Sequence, residues 1–541
     1  MREFMTAARW LWRALRISGL PVSVGLWLRV AWLGVRHGWS LYVLVALWAK
    51  RAPHEIALED DRRRWRWREL AHDVDALATA LDGMGVGRRS RVGIMCRNHG
   101  EFVTTLLACM RLGADVILLN TRFDAGQLAT ALDAHGVTML IVDPEYGTFV
   151  RQAGFRGRVC WSGSSGDPGA VDAGVEVSAL IAATPPGRIG RRAPGALIVL
   201  TSGTTSSAKG VRRELSLRQV AGTVYGLVSR LSLRIRTRTL IAVPLFHGYG
   251  MASLALGIAL RCPVILTCRT DGSRLWGVVR RSGAKSIVVV PTLLRRMLDA
   301  SADDPLPSGT IERVVSGSAP MPARLVADTF ECWGAVLYNL YGATEAGLIT
   351  IAGPRDLDAA PESVGYPVHG TEISIRGAGG RILARGEAGE VVVTGRLVFA
   401  GYGDARVPRA SAGTFATGDK GWLDEAGRLH LLGRVDDMLI VGGENIHPLQ
   451  IEDRLMTLPQ VVDAAAAGYE ADDGGQRIAA WLVLRPGQDV TESDLASVLP
   501  AYMCPTRWTV VDALPRNAIA KLERRRLALT DVANGRDHVA R

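Results

Sequence analysis

An apolar run, ALIVL at 196–200, opens into the loop TSGTTSSAKG at 201–210. Its residues are of the types that bind phosphate. Hydroxyls and backbone N–H groups at Thr201, Ser202, Gly203, Thr204 and Thr205 can line a concave anion cradle, and Lys209 adds a mobile cation. A solvated Ser/Thr/Gly turn would have the same composition, but a loop at the carboxyl end of a strand is where α/β sheets bind ligands. The lysine is itself informative. Only five of the chain's 64 cationic side chains are lysine, namely Lys50, Lys209, Lys285, Lys420 and Lys521. Where arginine serves for a generic cation, each remaining lysine is a candidate for chemistry that needs a compact ammonium. Other chemical signatures are missing: there is no G-x-x-x-x-G-K-[ST], G-x-G-x-x-G after a strand, G-x-S-x-G or H-E-x-x-H. Seven scattered cysteines form no C-x-x-C pair and no zinc spacing, which reads as reduced thiols in a cytoplasmic chain.

The elements that must carry this loop follow from periodicity. With 541 residues the chain exceeds one core, so at least two domains are expected. An apolar share of 48% and a charged share of 22% exclude disordered, collagen-like and coiled-coil classes. From Leu58 onward, helical and short apolar patterns alternate: a helix over 70–81, a strand over 91–95, a helix over 101–112, a strand over 116–119, a helix over 127–135 and a strand over 138–142. This rhythm predicts an α/β fold whose large N-terminal domain consists of doubly wound sheets. Residues 162–194, rich in Gly, Ser, Pro and Ala, read as a long surface connection, with further strands at 196–200, 239–243, 286–290, 313–315 and 336–339. Beyond Ser363, short alternating strands with glycine turns predict a β-subdomain, and the last segment predicts a small, mobile α+β C-terminal domain.

The first 51 residues hold +7 of the chain's +11 net charge, so the remainder is nearly balanced and a nucleic-acid partner is not expected. They also hold six of the 14 tryptophans, interleaved with arginine. No uncharged run there approaches the ~20 residues of a membrane span, and arginines interrupt any signal-peptide core. Two short amphipathic helices broken at Gly19–Pro21 are expected. They suit either packing on the main domain or peripheral contact with the inner face of a membrane.

Five motifs together carry a specific resemblance. TSGTTSSAKG (201–210), YGATE (341–345), TGD (417–419), GRVDDMLIVGGENIHPLQIE (433–452) and LPRNAIAK (514–521) stand in the order and spacing of adenylate-forming enzymes, of the acyl-CoA synthetase type. The resemblance covers roughly residues 50–530. It implies an amphipathic extension (1–50), a large domain (51–433), a hinge (434–437), a small domain (438–530) and a tail (531–541). It also implies ATP, Mg²⁺ and coenzyme A as co-substrates and cofactors. The 201–205 loop and Lys209 would cradle the β- and γ-phosphates, and Thr201 with Glu345 would hold the metal through hard oxygens. Tyr341 would stack on adenine in a pocket lined by Gly317, Ser318, Ala319, Asn339, Gly342 and Thr344. Asp419 and Arg434 would take the ribose, and Lys521 would bridge the acyl carboxylate and the α-phosphate. Rotation about Asp436 would then exchange Lys521 for Gly442, Gly443 and Glu444 on the coenzyme A side.

The motif PLFHGYG (244–250) matches the family's acyl-pocket segment, with His247 as tunnel gate. It lacks the aspartate that pairs an amino group, so amino acids are not the expected substrate. Small residues at Gly250, Ala252, Ala255 and Gly257 leave room for an alkyl chain or allow close helix packing. With the N-terminal segment, they point to a medium- or long-chain fatty acid as partner, and a homodimer is compatible with the chain. Alternatives are an acyl-AMP ligase that loads a carrier protein, an aryl-CoA ligase, or a homologue impaired in catalysis that retains acyl or nucleotide binding. Ser206 and Ala208 replace the family's glycine and proline in the phosphate loop, and Ala520 replaces the glycine before Lys521. If position 206 needs positive φ, serine there costs roughly 1–2 kcal/mol of strain. Ser206→Gly is therefore expected to lower the KM for ATP; steady-state kinetics showing an unchanged KM would remove the idea.

Overall fold

The computed structural model describes residues 13–14, 16–19, 24–163, 174–200, 210–212, 225–343, 346–395, 413–441, 444–470, 476–517, 521–527 and 536–539. They fall into two compact units that divide between Val315 and Ser316.

The first unit begins with two helices, α1 (Val24–His37) and α2 (Tyr42–Arg51). Besides the expected break before α1, the structure has a second at Gly38, which takes φ +82°. A Cβ there would lie 2.2 Å from the Arg192 carbonyl oxygen, so only glycine fits. The alternating region forms β1 (Ile56–Glu59), β2 (Arg64–Arg66), α3 (Trp67–Gly83), β3 (Arg91–Met95), α4 (Gly100–Leu112), β4 (Asp115–Leu118), α5 (Ala125–Ala134), β5 (Met139–Val142) and β6 (Arg158–Trp161). Residues 162–194 are not wholly irregular. They contain β7 (Val175–Glu176) and a helix at Val177–Ala183 whose first residue is fully buried. With β8 (Leu197–Leu200) and β9 (Gly210–Arg212), the strands order as β7-β6-β5-β3-β4-β8-β9, parallel except for the last pair. Continuous apolar runs suit such a sheet because helices cover both faces. β3, β4 and β5 are almost wholly buried.

A second sheet of this unit orders β2-β1-β11-β10-β12, where β10 is Thr239–Ile241, β11 Val264–Ile265 and β12 Ser286–Val289. Between β10 and β11 lies α6 (Gly248–Ala259), and α7 (Gly272–Ser282) precedes β12. β13 (Arg313–Gly317) ends the unit at Val315.

In the second unit, β14 (Leu337–Ala343), β15 (Gly347–Ala352), β16 (Ser363–Pro367), β17 (Thr371–Arg376), β18 (Gly389–Gly395), β19 (Thr414–Leu423) and β20 (Leu429–Arg434) order as β14-β15-β16-β20-β19-β18-β17. All neighbours are antiparallel, as the alternating pattern after Ser363 predicts. A hairpin, β21 (Leu439–Val441) and β22 (Glu444–Ile446), leads to α8 (Pro448–Leu455). A four-stranded sheet follows, β23 (Val461–Glu470), β24 (Gln476–Leu484), β25 (Arg507–Val510) and β26 (Arg536–Val539). Ile446, Ile451, Leu455, Ile478, Leu482 and Trp508 form its core.

On α8, half-buried Asp453 lies beside Glu452 and Glu362, and its Oδ1 is buried with no hydrogen-bond partner. Burial, then the two neighbouring carboxylates, push its pKa up to about 8. An unfolded aspartate titrates near ~3.9, so between these values the folded state holds the extra proton and stability falls as pH rises. Asp453→Asn removes the penalty. Thermal denaturation should show the variant more stable than wild type at pH 8, with the difference vanishing towards pH 4.

Candidate functional site

The TGD motif lies on β19, where each of its residues has a distinct structural task. The Thr417 hydroxyl donates to the Val391 carbonyl at 2.9 Å and accepts the Asp419 N–H at 3.1 Å, which fixes the turn of the strand. Gly418 has φ +71°, and a Cβ on it would come within 2.8 Å of the Arg434 guanidinium. Glycine thus lets that side chain lie across the strand. Asp419 pairs in register with Arg434 on β20. Arg434 Nη1 donates to the Thr417 carbonyl at 2.8 Å and to Asp419 Oδ1 at 3.3 Å.

The other carboxylate oxygen, Oδ2, accepts the Tyr341 hydroxyl at 2.6 Å. Burial, reinforced by the Asp419 carboxylate, raises the Tyr341 pKa above its ordinary value, so it is a donor throughout the physiological range. Tyr341 sits at a bulge of β14 before Gly342, whose Cβ would approach the Gly347 carbonyl to 2.5 Å. Asn339, buried, is two residues upstream on the same strand. Gly317 faces this strand: a Cβ there would meet the Leu340 carbonyl at 2.8 Å. Ser318 follows with φ +71°, rare for a non-glycine residue, and leads to Ala319. The structure therefore unites Tyr341, Asp419 and Arg434 directly, with Gly317 close against the strand that carries Tyr341.

Asp436 is exposed in the turn that leaves β20, where the Val435 N–H bonds the Gly418 carbonyl at 2.9 Å. Glu444 is exposed at the first position of β22, opposite Val441. Lys521 is exposed in a loop closed by Asn517: the Lys521 N–H donates to Asn517 Oδ1 and the Asn517 N–H to the Lys521 carbonyl, both at 2.9 Å. Thr201, Ser202, Gly203, Thr204, Thr205, Lys209, Thr344, Glu345, Gly442 and Gly443 lie outside the described residues, as do Ser206, Ala208 and Ala520.

His247, in the first unit, is the N-cap residue of α6. Its ring packs on Phe246 with centroids 4.6 Å apart, and its Nε2 is buried without a partner. Burial lowers its pKa to about 4, so the imidazole is neutral at physiological pH. Gly250 and Gly257 do not line open space. Cβ atoms there would lie 2.2 Å from the Pro244 carbonyl and 2.8 Å from Val264 Cγ2, so these glycines serve close helix packing.

Sequence reading alone misses the supports of these groups. Arg516 makes a two-pronged ion pair with Asp463 on β23 at 2.7–3.0 Å, anchoring the base of the Lys521 loop. Arg524 bonds Glu452 and reaches Asp437 at 3.4 Å. Partners 53 and 72 residues apart leave no local signal.

Residues 45–403 match the family described as AMP-binding enzyme, and residues 450–521 match the AMP-binding enzyme C-terminal domain. The chain belongs to the AMP-binding enzyme family. A 2-succinylbenzoate–CoA ligase of Geobacillus kaustophilus is 32% identical over 483 residues, spanning 88% of this chain and 95% of the relative. One from Bacillus pumilus is 30% identical over 487 residues, with the same shares of each chain. Among solved structures, O-succinylbenzoate coenzyme A synthetase of Bacillus subtilis with ATP and magnesium has a TM-score of 0.75 at 27% identity, covering 90% of this chain and 99% of that one. An amide bond synthetase of Marinactinospora thermotolerans has 0.78 at 25%, covering 91% and 100%.

In this AMP-binding enzyme, one further group has ligand-like chemistry. Cys96, His99 and Asp143 are buried within 4.8 Å of one another. Both imidazole nitrogens are engaged: Nε2 bonds Asp143 Oδ1 at 2.8 Å, and Nδ1 accepts the Phe102 N–H at 3.3 Å. The group is thus a structural clamp at the ends of β3 and β5. Asp419 is the centre of the Tyr341–Arg434 network. Each of its oxygens has a protein donor and retains a lone pair, so the carboxylate can accept two further hydroxyls. Asp419→Ala should raise the KM for ATP about 10- to 100-fold, from the ~1.5–3 kcal/mol of a hydrogen bond to a charged group; initial rates against ATP concentration would check it.

Proposed function

We propose that the chain is an ATP-dependent acid–CoA ligase acting on an aryl carboxylic acid. The observation that carries the ligase reading is the Tyr341–Asp419–Arg434 network, assembled from three separated motifs inside a family match that spans most of the chain. The aryl reading draws on the 2-succinylbenzoate–CoA ligases, 30–32% identical across 88% of the chain. It replaces the fatty-acid expectation as the leading one, because Gly250 and Gly257 are packed rather than open.

In the proposed reaction a carboxylate oxygen of the acid attacks the α-phosphorus of ATP, and the bond to the bridging oxygen breaks to release pyrophosphate. The thiol of coenzyme A then attacks the acyl carbonyl, losing its proton, and AMP departs. Asp419 would accept the ribose hydroxyls, held in place by Arg434, while Tyr341 would offer its ring to the adenine. Lys521 would place an ammonium beside the oxygens on which charge develops. Thr201 and Glu345 would hold Mg²⁺, which supplies charge neutralisation at the phosphates when bound. The segment 434–437 would act as hinge between a large domain (51–433) and a small one (438–530), exchanging Lys521 for the 442–444 turn between the two steps.

A medium- or long-chain fatty acid is the second reading, favoured by the apolar, cation-rich N-terminal segment, where such acids partition. The deciding experiment measures AMP release with 2-succinylbenzoate, benzoate, octanoate and oleate, each with and without coenzyme A. Coenzyme-A-dependent turnover of the aromatic acids is expected. Turnover confined to octanoate or oleate would install the second reading, and release independent of coenzyme A would favour carrier-protein loading. Failure of every acid would overturn the ligase assignment.

A further inference from the structure

Helix α1 is apolar on two opposite sides. Leu26, Leu33 and Gly34, with half-buried Val30, face inward. Leu28, Trp32 and Val35 fall within a stripe about 60° wide on the reverse side at 100° per residue, and they are 66%, 50% and 59% exposed. Trp39, 54% exposed, lies past the helix end with its indole over Gly34 rather than in line with the stripe. Single exposed apolar residues need no explanation, but a contiguous set does. Ten large apolar side chains are exposed among the described residues, and five of them lie between Ile17 and Trp39.

Cations frame the stripe. The Arg36 guanidinium lies 5.1 Å from the Trp32 ring centroid and Lys50 Nζ 4.6 Å from it. Arg29 is exposed on the same flank of α1 as Arg36. No acidic residue occurs between Glu3 and Glu55. The segment is also firmly seated. Tyr42 donates to Asp75 at 2.6 Å, Arg111 to His37 Nδ1 at 2.9 Å, and Trp48 Nε1 to the Ile258 carbonyl at 2.8 Å. The exposed stripe is therefore presented by a fixed platform.

We infer that the Leu28–Trp32–Val35 face docks flat on an anionic lipid bilayer, with Arg29, Arg36 and Lys50 at the headgroup level. Among the described residues no helix is long and apolar enough to cross a membrane. A helix of 14 residues, apolar outward and rimmed by cations and tryptophan, suits the interface plane. Charge argues against a second copy as occupant, because a self-interface would bring cations of one sign together. The inference does not depend on which acid the enzyme activates.

The test is co-sedimentation of the full chain with vesicles of phosphatidylcholine alone or mixed with phosphatidylglycerol, using wild type, Trp32→Ser/Val35→Ser and Arg36→Glu/Lys50→Glu. Substitution of exposed residues keeps the fold, which an unchanged Tm verifies. Wild type should pellet with the anionic vesicles and much less with the neutral ones. Each double variant should lose about tenfold or more of its partition coefficient, as withdrawal of large apolar groups or of headgroup-level cations implies. Wild type in the supernatant with anionic vesicles, or variants that pellet like wild type, would overturn the inference. So would a concentration-dependent dimer, seen by light scattering and abolished by Trp32→Ser/Val35→Ser, in a protein that ignores vesicles.

Discussion

One buried carboxamide ties together the two sheets of the first unit. Asn98 follows β3, and its Nδ2 donates to the carbonyls of Ile241 at 3.3 Å and Val243 at 2.8 Å, while its Oδ1 accepts the Leu245 N–H at 2.8 Å. Three buried backbone groups that leave β10 find their partners in this single side chain. Without it each orphan would cost ~1–3 kcal/mol. The segment it holds is the one that turns into α6 with His247 as its cap. The neutral, unpartnered His247 ring and its packing on Phe246 thus depend on an amide from the other sheet. His99, the next residue, caps α4 by accepting the Phe102 N–H and pairs with Asp143 beyond β5, whose other oxygen accepts the Arg97 N–H.

The second unit solves a different problem, that of placing a carboxylate so that it can still accept bonds. Asp419 is stationed by backbone pairing with Arg434, by the Thr417 hydroxyl and by Tyr341. None of these uses up its acceptor capacity. Gly418 is where the chain gives way, since any side chain would displace the guanidinium. The motif is short because the geometry is local: three residues on one strand and one directly opposite suffice.

That locality explains what was legible in the sequence. Strand β3 matches the sequence reading to the residue, since a short run with four buried residues bounded by turns admits few alternatives. Tyr341, Asp419 and Arg434 are singled out through the family resemblance of their motifs, and of these only Asp419 and Arg434 stand on adjacent strands. The break at Gly38 was missed because the glycine requirement comes from Arg192, over 150 positions away. The strand and helix at Val175–Ala183 were hidden by a composition typical of loops, with one fully buried side chain, Val177, to hold them. Long-range ion pairs such as Arg516–Asp463 leave no periodic trace at all. At Gly250 and Gly257, where room for a chain and close packing were both open, the structure shows close packing: a small residue announces that something is close, not what it is.

The seat of α2 has a bearing on where the chain could be shortened. The family match starts at residue 45, inside α2 (Tyr42–Arg51), yet Tyr42 and Val43 are almost completely buried and Tyr42 bonds α3. Trp48, in turn, caps the far end of α6 through the Ile258 carbonyl. The residues just before the matched range are thus packed into the same core as those within it. Removal of the residues before 45 would take the Tyr42 partner from Asp75 and leave a void where Val43 packs.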